Sequence, residues 1–203
     1  MYDKHTQDSI TNYNKIAKDY DNTFDGQFTR ELKECIVNKT TIPQNSKVLD
    51  VACGNGVLLN MINNKQKIEG YGIDISNAMI YEAKTKNPTF SLSVSNSSNL
   101  VFDDNYFDIV TVCAAFHHFS EPRQFLNEAL RVLKSNGQLV VMEPYFPFVI
   151  RHVSNLLIPF IKMGDVKIYS KKELIRMLED TGFSKVQYSK ETKHGCMILG
   201  RKT

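Results

Sequence analysis

The sequence lacks the long uninterrupted apolar run that a membrane-spanning helix needs. Its longest apolar tract, residues 144–161, is interrupted by Arg151, His152, Asn155 and two prolines, whereas a span takes about 20 consecutive apolar residues. The start of the chain also lacks the apolar core of a secretory signal peptide, because residues 1–6 are polar. These absences predict a protein in the cytoplasm, with no membrane span.

Cysteine is present, but it is not arranged for metal binding or cross-linking. The four cysteines are scattered, without C-x-x-C pairs or histidines at ligand spacing, so we expect neither a metal site nor a disulfide framework. No linker-like stretch or internal repeat divides the 203 residues. With 42% hydrophobic residues, the chain can bury one sizeable core, which predicts a single domain.

Most of the chain has no large excess of either positive or negative residues, and its formal net charge is only +3. Residues 162–203 are the exception, with ten Lys and Arg against five Asp and Glu. A basic stretch of this kind can bind nucleic acid or an anionic membrane surface. Because these lysines alternate with apolar residues and do not cluster, we interpret them as a solvated outer face.

Apolar periodicity predicts strands and helices in alternation. The predicted strands are 47–52, 69–74, 90–94, 107–113, 138–142, 184–188 and 196–201. The first predicted helix has apolar residues at helical spacing, namely Tyr13, Ile16, Ala17, Tyr20 and Phe24. The next helices are predicted over 57–63, over 76–86 with Ser76 as its cap, and around 125–133 with Gly137 as its end. The last runs from the capping box of Ser170 and Glu173 to Gly182.

Such alternation indicates an α/β fold, a single-domain, doubly wound sheet with right-handed crossovers. We expect a Rossmann-like sheet that is mostly parallel with an antiparallel last strand and helices on both faces. Ligands bind such sheets at the carboxyl ends of the strands. Residues that follow the strands are therefore the candidate site residues.

The most informative segment joins a predicted strand to a glycine turn, since residues 48–56 read Val-Leu-Asp-Val-Ala-Cys-Gly-Asn-Gly. Gly54 and Gly56 permit positive φ and leave no Cβ in the way of a ligand. A dinucleotide site has a third glycine, in G-x-G-x-x-G, where this chain has Leu59. Asp50, four residues before Gly54, is better placed for a cation than for a pyrophosphate.

This segment resembles motif I of the class I S-adenosylmethionine-dependent methyltransferases, a D/E-x-G/A-x-G-x-G loop. Downstream, Tyr-Phe-Asp-Ile-Val at 106–110, Phe-His-His-Phe at 116–119, Glu128, and Arg-Val-Leu-Lys at 131–134 before Gly137 resemble methyltransferase type 11 proteins, which include ubiquinone and menaquinone biosynthesis enzymes. The resemblance runs over residues 45–142. It implies S-adenosyl-L-methionine as cofactor and methyl transfer by in-line displacement as the activity.

The resemblance also implies which residues bind the cofactor. Asp50 and the turn carbonyls would hold the methionine ammonium, and Asp74, after the second strand, would accept hydrogen bonds from the ribose hydroxyls. Asn96 replaces the acid that usually binds the adenine amino group, and its uncharged amide makes a weaker contact. The full predicted set is Tyr20, Asp50, Ala52, Cys53, Gly54, Asn55, Gly56, Asp74, Ile75, Met79, Asn96, Ser97, Cys113 and Ala114. Met79 is equally suited to core packing.

No residue is assigned as the catalytic base. His117 and His118 are candidates because a free imidazole titrates near neutrality, but we favour the explanation that both side chains help to pack the loop after the fourth strand. Glu143 and Tyr145, just past the fifth strand, are comparable candidates. The sulfonium of the cofactor is already an activated donor, so orientation alone can supply much of the catalysis.

We expect a helical cap over residues 1–40, a cofactor-binding core over 45–142, a substrate-side insertion over 143–168 and a C-terminal helix with strands over 169–203. The apolar insertion favours a pocket for a hydrophobic acceptor, or equally a cover for the sheet edge or a dimer contact. The expected assembly is a monomer or a homodimer.

A small-molecule methyl acceptor is expected rather than nucleic acid. Residues 113–116, Cys-Ala-Ala-Phe, do not match the N/D-P-P-Y/F motif that amino-methylating nucleic-acid enzymes share. The alternative is a catalytically inactive S-adenosylmethionine-binding partner or sensor protein of the same fold. A nucleotide-linked dehydrogenase, the third reading, is disfavoured by Leu59.

Overall fold

The computed structural model, which describes residues 2–203, contains one seven-stranded sheet. Its strands are β1 (Ser46–Val51), β2 (Ile68–Asp74), β3 (Ser91–Val94), β4 (Phe107–Cys113), β5 (Leu133–Pro144), β6 (Ser184–Lys190) and β7 (Gly195–Arg201). The α-helices are α1 (Lys4–Ile16), α2 (Phe24–Lys39), α3 (Val57–Lys65), α4 (Asn77–Lys86), α5 (Pro122–Val132), α6 (Phe148–Leu157) and α7 (Lys171–Thr181). Short 3-10 helices lie at Ala17–Asn22, Phe116–His118 and Ile158–Phe160.

The strand order is β3-β2-β1-β4-β5-β7-β6. All neighbouring pairs from β3 to β5 are parallel, and β7 runs antiparallel between β5 and β6. The predicted Rossmann-like sheet, mostly parallel with an antiparallel last strand, is confirmed. Parallel pairing brings the carboxyl ends of β1, β2 and β4 to one edge, and the order reverses between β1 and β4, where such sheets bind ligands.

Local capping explains why several helices begin and end where predicted. Ser76 Oγ accepts from Met79 N at 3.1 Å at the start of α4. Ser170 and Glu173 form the capping box of α7, and Gly182 ends that helix in the left-handed region at φ 108°. Each of these signals depends on residues within one helical turn, and the sequence pattern therefore predicts them well.

Two helix predictions were wrong. The periodic residues from Tyr13 to Phe24 form two helices and a 3-10 segment, because Thr23 is extended and its Oγ1 accepts from Gly26 N at 3.0 Å to cap α2. Gly137 does not end α5, which stops at Val132. A Cβ on Gly137 would lie 2.8 Å from the Lys134 carbonyl oxygen. Glycine at this position therefore lets the backbone pass close to that carbonyl within the first residues of β5.

The sheet has an apolar layer on each face. On one side, Phe125 and Leu126 of α5 and Leu174 and Leu178 of α7 pack against the strands. On the other, Leu32 and Ile36 of α2 join Leu58, Leu59 and Ile62 of α3. Burial of each such side chain is worth about 1.5–3 kcal/mol, so these two layers hold the strand ends in place.

Residues 143–168, which we predicted to be a substrate-side insertion, contain a helix, α6, that the sequence analysis did not predict. No side chain of α6 is buried, although most of its residues are apolar. Among residues 2–203, no helix combines the length and apolar character needed to cross a bilayer.

Candidate cofactor site

Asp50 is the second-to-last residue of β1, and only 2% of it is exposed. Its Oδ1 accepts from Thr111 Oγ1 at 2.7 Å, the one hydrogen bond to this carboxylate in residues 2–203. Burial raises the pKa of Asp50 to about 7, while the Thr111 hydroxyl and the Lys33 ammonium act in the opposite direction. A cation in the cavity would stabilise the ionised form of this carboxylate.

The turn after β1 uses its two glycines differently. Both have positive φ, at 53° for Gly54 and 79° for Gly56. A Cβ on Gly54 would meet only Met79 Sδ, at 4.0 Å, whereas one on Gly56 would lie 2.9 Å from Asn87 Nδ2 and 3.4 Å from Ala83 Cβ. Gly54 therefore leaves space on the cavity side, whereas Gly56 lets the turn approach Ala83 and Asn87 at the end of α4. The expectation was that both glycines leave room for a ligand.

Asp74, at the end of β2, ties the turn to α4. Its Oδ2 accepts from Gly54 N at 2.8 Å and its Oδ1 from Ser76 N at 2.8 Å. Burial raises the pKa of Asp74, and these N–H donors oppose the rise. Each carboxylate oxygen has a second lone-pair position, so Asp74 can also accept from the hydroxyls of a ribose.

One cavity of about 1060 Å³, counting its opening to solvent, lies over these strand ends. Twelve of the fourteen predicted cofactor residues line it. They are Tyr20, Asp50, Ala52, Cys53, Gly54, Asp74, Ile75, Met79, Asn96, Ser97, Cys113 and Ala114. Asn55 and Gly56 lie outside this lining, and Asn55 Nδ2 instead donates to Asp21 Oδ1 at 2.8 Å.

Backbone geometry at the site is unusual in two places. Ala52 and Ala114 directly follow β1 and β4, and both adopt left-handed conformations, at φ 57° and 51°. Such conformations cost alanine roughly 1–2 kcal/mol and persist where the surrounding structure enforces them. Both residues line the cavity. The strained backbone therefore lies at the ends of β1 and β4, beside the space for the ligand.

Asn96 lines the cavity as predicted, but its amide oxygen is already engaged. Asn96 Oδ1 accepts from Ser98 N at 3.0 Å, which closes a local turn. Asn96, which stands where related proteins usually have an acid, therefore also stabilises its own loop. Contact with an adenine would use the second lone-pair position of this oxygen.

Lys33 is a site residue that sequence reasoning missed. It lies in α2, only 8% of it is exposed, and it lines the cavity. Its Nζ donates to Thr29 Oγ1 at 3.1 Å and lies 5.5 Å from the centre of the Tyr20 ring. Its position beside the buried Leu32 on the inward face of α2 is the signal that could have indicated it.

Tyr13 and His118 meet at the cavity, and both line it. Tyr13 Oη lies 3.1 Å from His118 Nε2. Burial raises the pKa of Tyr13 well above its usual value, whereas burial and the neighbouring His117 lower the pKa of His118 to about 4. The pair is therefore neutral at pH 7, and a hydrogen bond joins the phenol to the imidazole.

The other three catalytic candidates lie outside the cavity lining. His117 Nδ1 and Glu143 Oε2 are 2.7 Å apart, and the same glutamate accepts from backbone N–H groups of the 3-10 turn. Burial lowers the pKa of His117, but the carboxylates of Glu143 and Asp165 raise it by more. The Tyr145 ring stacks under Lys190 Nζ at 4.1 Å from its centre.

Two acidic residues at adjacent strand ends, a glycine turn and a helix behind it define a nucleotide-cofactor site of the class I S-adenosylmethionine-dependent methyltransferase type. The residues fit this cofactor. Asp50 offers a buried carboxyl group that an ammonium would hold in its ionised form, and Asp74 offers acceptors to the ribose. The space beside Gly54 leaves room for the part of the cofactor between them.

Comparison with known proteins gives the family. A family model described as a methyltransferase domain, Methyltransf_11, matches residues 49–141. The "Ubiquinone/menaquinone biosynthesis C-methyltransferase UbiE" of Rickettsia felis is 30% identical over 71% of this chain and 71% of its own length. The chain belongs to this methyltransferase type 11 family of class I S-adenosylmethionine-dependent methyltransferases.

Other relatives agree. The demethylmenaquinone methyltransferase of Thermotoga maritima is 36% identical over 61% of this chain and 49% of its own length. The chain spans 49% to 60% of the length of three such relatives. Phosphoethanolamine N-methyltransferase 2 of Haemonchus contortus, in complex with S-adenosyl-L-methionine, shares the fold, with a TM-score of 0.71 over 94% of this chain and 60% of that chain, at 11% identity.

Proposed function

We propose that this protein transfers a methyl group from S-adenosylmethionine to a small apolar acceptor, and that the ring of a demethylmenaquinone is the first acceptor to test. The observation that carries the proposal is that Asp50 and Asp74 line one cavity together with Gly54, whose Cβ position is open. The choice of acceptor is supported by the relatives, which are named demethylmenaquinone methyltransferase and C-methyltransferase.

The cofactor half of the site would work by charge and shape. When bound, S-adenosylmethionine supplies an activated methyl group on a sulfonium centre. Asp50, whose carboxylate is desolvated, attracts the ammonium of its methionine part, and Asp74 accepts from the ribose. Because Asp74 also accepts from Gly54 N and Ser76 N, the glycine turn and the start of α4 are fixed before any ligand arrives.

The acceptor half is bounded by α1 and by the turn after β4. Tyr13, His118 and Phe119 line this part of the cavity. A His118 with a pKa of about 4 is a weak base at neutral pH, so the Tyr13 and His118 pair orients an acceptor more effectively than it removes a proton. Orientation of two reactants can contribute about 7–11 kcal/mol to lowering a barrier.

The test uses S-adenosylmethionine with an isotopically labelled methyl group, the purified protein and reduced demethylmenaquinone in detergent. We expect labelled product by mass spectrometry and an equal amount of S-adenosylhomocysteine. Asp50→Asn should lower both by at least about tenfold, because it removes the charge that faces the ammonium. Asp103→Asn, a change in an exposed loop, is the matched control and should leave the rate unchanged.

The remaining outcomes separate the candidate functions. Labelled product from a metabolite extract, but none from demethylmenaquinone, would replace the acceptor and retain methyl transfer. Tight binding of S-adenosylmethionine by calorimetry with no product from either source would contradict the enzyme and favour a cofactor-binding sensor. Binding of NAD in place of S-adenosylmethionine would contradict the assignment of the cofactor.

A further inference from the structure

Exposed apolar side chains are concentrated in one short segment. Fourteen large apolar residues are exposed in residues 2–203, and nine of them lie within residues 148–163. These nine are Phe148, Val149, Ile150, Val153, Leu156, Leu157, Phe160, Ile161 and Met163. We call this set the apolar face. Single exposed apolar residues are ordinary on soluble proteins, whereas a contiguous patch marks a surface that binds something.

The helix within this segment turns its apolar side outward. Asn155 holds α6 to the protein, since its Oδ1 accepts from Ile168 N at 2.8 Å and its Nδ2 donates to the Ile168 carbonyl at 3.0 Å. Ile158, three residues on, is buried on the same side. Val153 and Leu156 lie on the opposite side of the helix and are 50% and 73% exposed. The side of α6 that faces the protein therefore carries the polar contact of Asn155, and the side that faces solvent carries apolar side chains.

The segment that carries the apolar face has basic side chains and no acidic ones. Residues 144–164 contain no Asp or Glu, but they include Arg151 and Lys162. The Arg151 guanidinium lies 5.7 Å from the Phe148 ring centre, and Lys190 reaches over Tyr145 at the foot of the segment. Apolar and aromatic residues bordered by cations are typical of helices that lie in the interface of an anionic membrane.

The face is also connected to the cavity. After α6 the chain returns across the 3-10 turn, where Val166 N and Lys167 N donate to the His117 carbonyl at 2.8 and 3.2 Å. Gly164 packs so closely on α1 that a Cβ there would lie 1.9 Å from Ser9 Oγ. Because Ser9 and His118 both line the cavity, the apolar face and the cavity lie at the same end of the sheet.

We propose that the apolar face docks into the surface of an anionic lipid bilayer. The ten residues of α6 extend about 15 Å, so the helix lies along the interface and does not cross it. A two-fold contact with a second copy fits less well, because it would bring the same basic side chains together. The acceptor is then an apolar molecule dissolved in the membrane, and this second statement alone rests on the proposed function.

The docking test is sedimentation of the purified protein with vesicles, without cofactor. We expect binding to vesicles of phosphatidylglycerol and phosphatidylcholine, weaker binding to phosphatidylcholine alone, and a decrease in binding as salt is raised. The double variant Val153→Asp, Leu156→Asp should lower partitioning by at least about tenfold, because it places two charges in the face. Val101→Asp, at a side chain that is 74% exposed elsewhere on the surface, is the matched control and should bind like the parent.

Three results would overturn the docking proposal. They are equal sedimentation with and without vesicles, an equal loss of binding in Val101→Asp, and a dimer by light scattering that the double variant makes monomeric. Vesicle binding without any methyl transfer would contradict only the proposed function, since binding is measured without cofactor. Circular dichroism of both variants, expected to match the parent, excludes unfolding as the cause.

Discussion

Glu143 Oε2 lies 2.7 Å from His117 Nδ1, and this contact joins the end of β5 to the turn after β4. The same carboxylate accepts from the backbone N–H groups of Ala115, Phe116 and His117, at 3.0, 3.0 and 3.2 Å. Four donors thus surround a glutamate that is only 6% exposed. Glu143 is a positioning residue, since the turn that it holds carries His118 to the cavity.

We predict that Glu143→Gln destabilises the protein by about 1–3 kcal/mol. Glutamine replaces one acceptor oxygen with a donor NH₂ group, so at least one buried N–H loses its partner. Urea unfolding measures the difference in the free energy of unfolding. Glu179→Gln, at an exposed position in α7, is the control and should change stability by less than about 0.5 kcal/mol. Equal stability of the two variants would contradict the role of Glu143.

Asp50 predicts a pH dependence of stability. Burial raises its pKa to about 7 in the folded protein, against about 3.9 in the unfolded chain. Its contribution to stability is therefore fully present below about pH 4 and is lost as the pH rises through about 7. Between those values the folded state keeps a proton that the unfolded state releases, so the slope is at most about 1.4 kcal/mol per pH unit.

The measurement compares the parent with Asp50→Asn, which keeps an acceptor for Thr111 but cannot ionise. We expect the free energy of unfolding of the parent to fall relative to the variant between about pH 4 and about pH 7 and to change little above that. Since all other titrating groups are shared, their contributions cancel in the difference. Two curves that stay parallel over this range would show that Asp50 does not titrate there.

Asp74→Asn is predicted to weaken binding of S-adenosylmethionine by at least about tenfold. The change removes a charge from the acceptor of the ribose hydroxyls and puts a donor against one of the two backbone N–H groups, from Gly54 or Ser76. Titration calorimetry gives the affinity. Asp103→Asn, in an exposed loop, should bind like the parent, and an undiminished affinity in Asp74→Asn would contradict this part of the site.

Arg131→Lys is predicted to destabilise the protein by about 1–3 kcal/mol although the charge is kept. The Arg131 guanidinium donates to the carbonyls of Leu100 and Phe102 at 2.7 and 2.8 Å and also to Glu128 and Asp104. A lysine ammonium cannot match this planar set of donors.

Thermal and urea unfolding check the effect of Arg131→Lys. The control is Arg123→Lys, because the Arg123 side chain is 60% exposed and its guanidinium donates to the exposed Asp180 at 3.2 Å. That variant should stay within about 0.5 kcal/mol of the parent. A similar small change in Arg131→Lys would mean that the loop before β4 is held by other contacts.

Local patterns predicted most of the fold. The β-branched run 107–113, the Ser170 and Glu173 box and the glycine turn after Asp50 each depend on neighbours within a few residues, so they could be read without a structure. The failures have tertiary causes. The helix from Tyr13 to Phe24 breaks at Thr23, and Gly137 faces the Lys134 carbonyl within β5.

The sequence by itself determined the doubly wound sheet and the two carboxylates at its edge, because side-chain periodicity and parallel pairing place Asp50 and Asp74 at adjacent strand ends. Only the tertiary structure decided that Tyr13 meets His118, 105 residues away, that Glu143 holds the turn after β4, and that α6 turns its apolar side outward. Such contacts depend on how whole elements pack, and periodicity within one element carries no information about its partner.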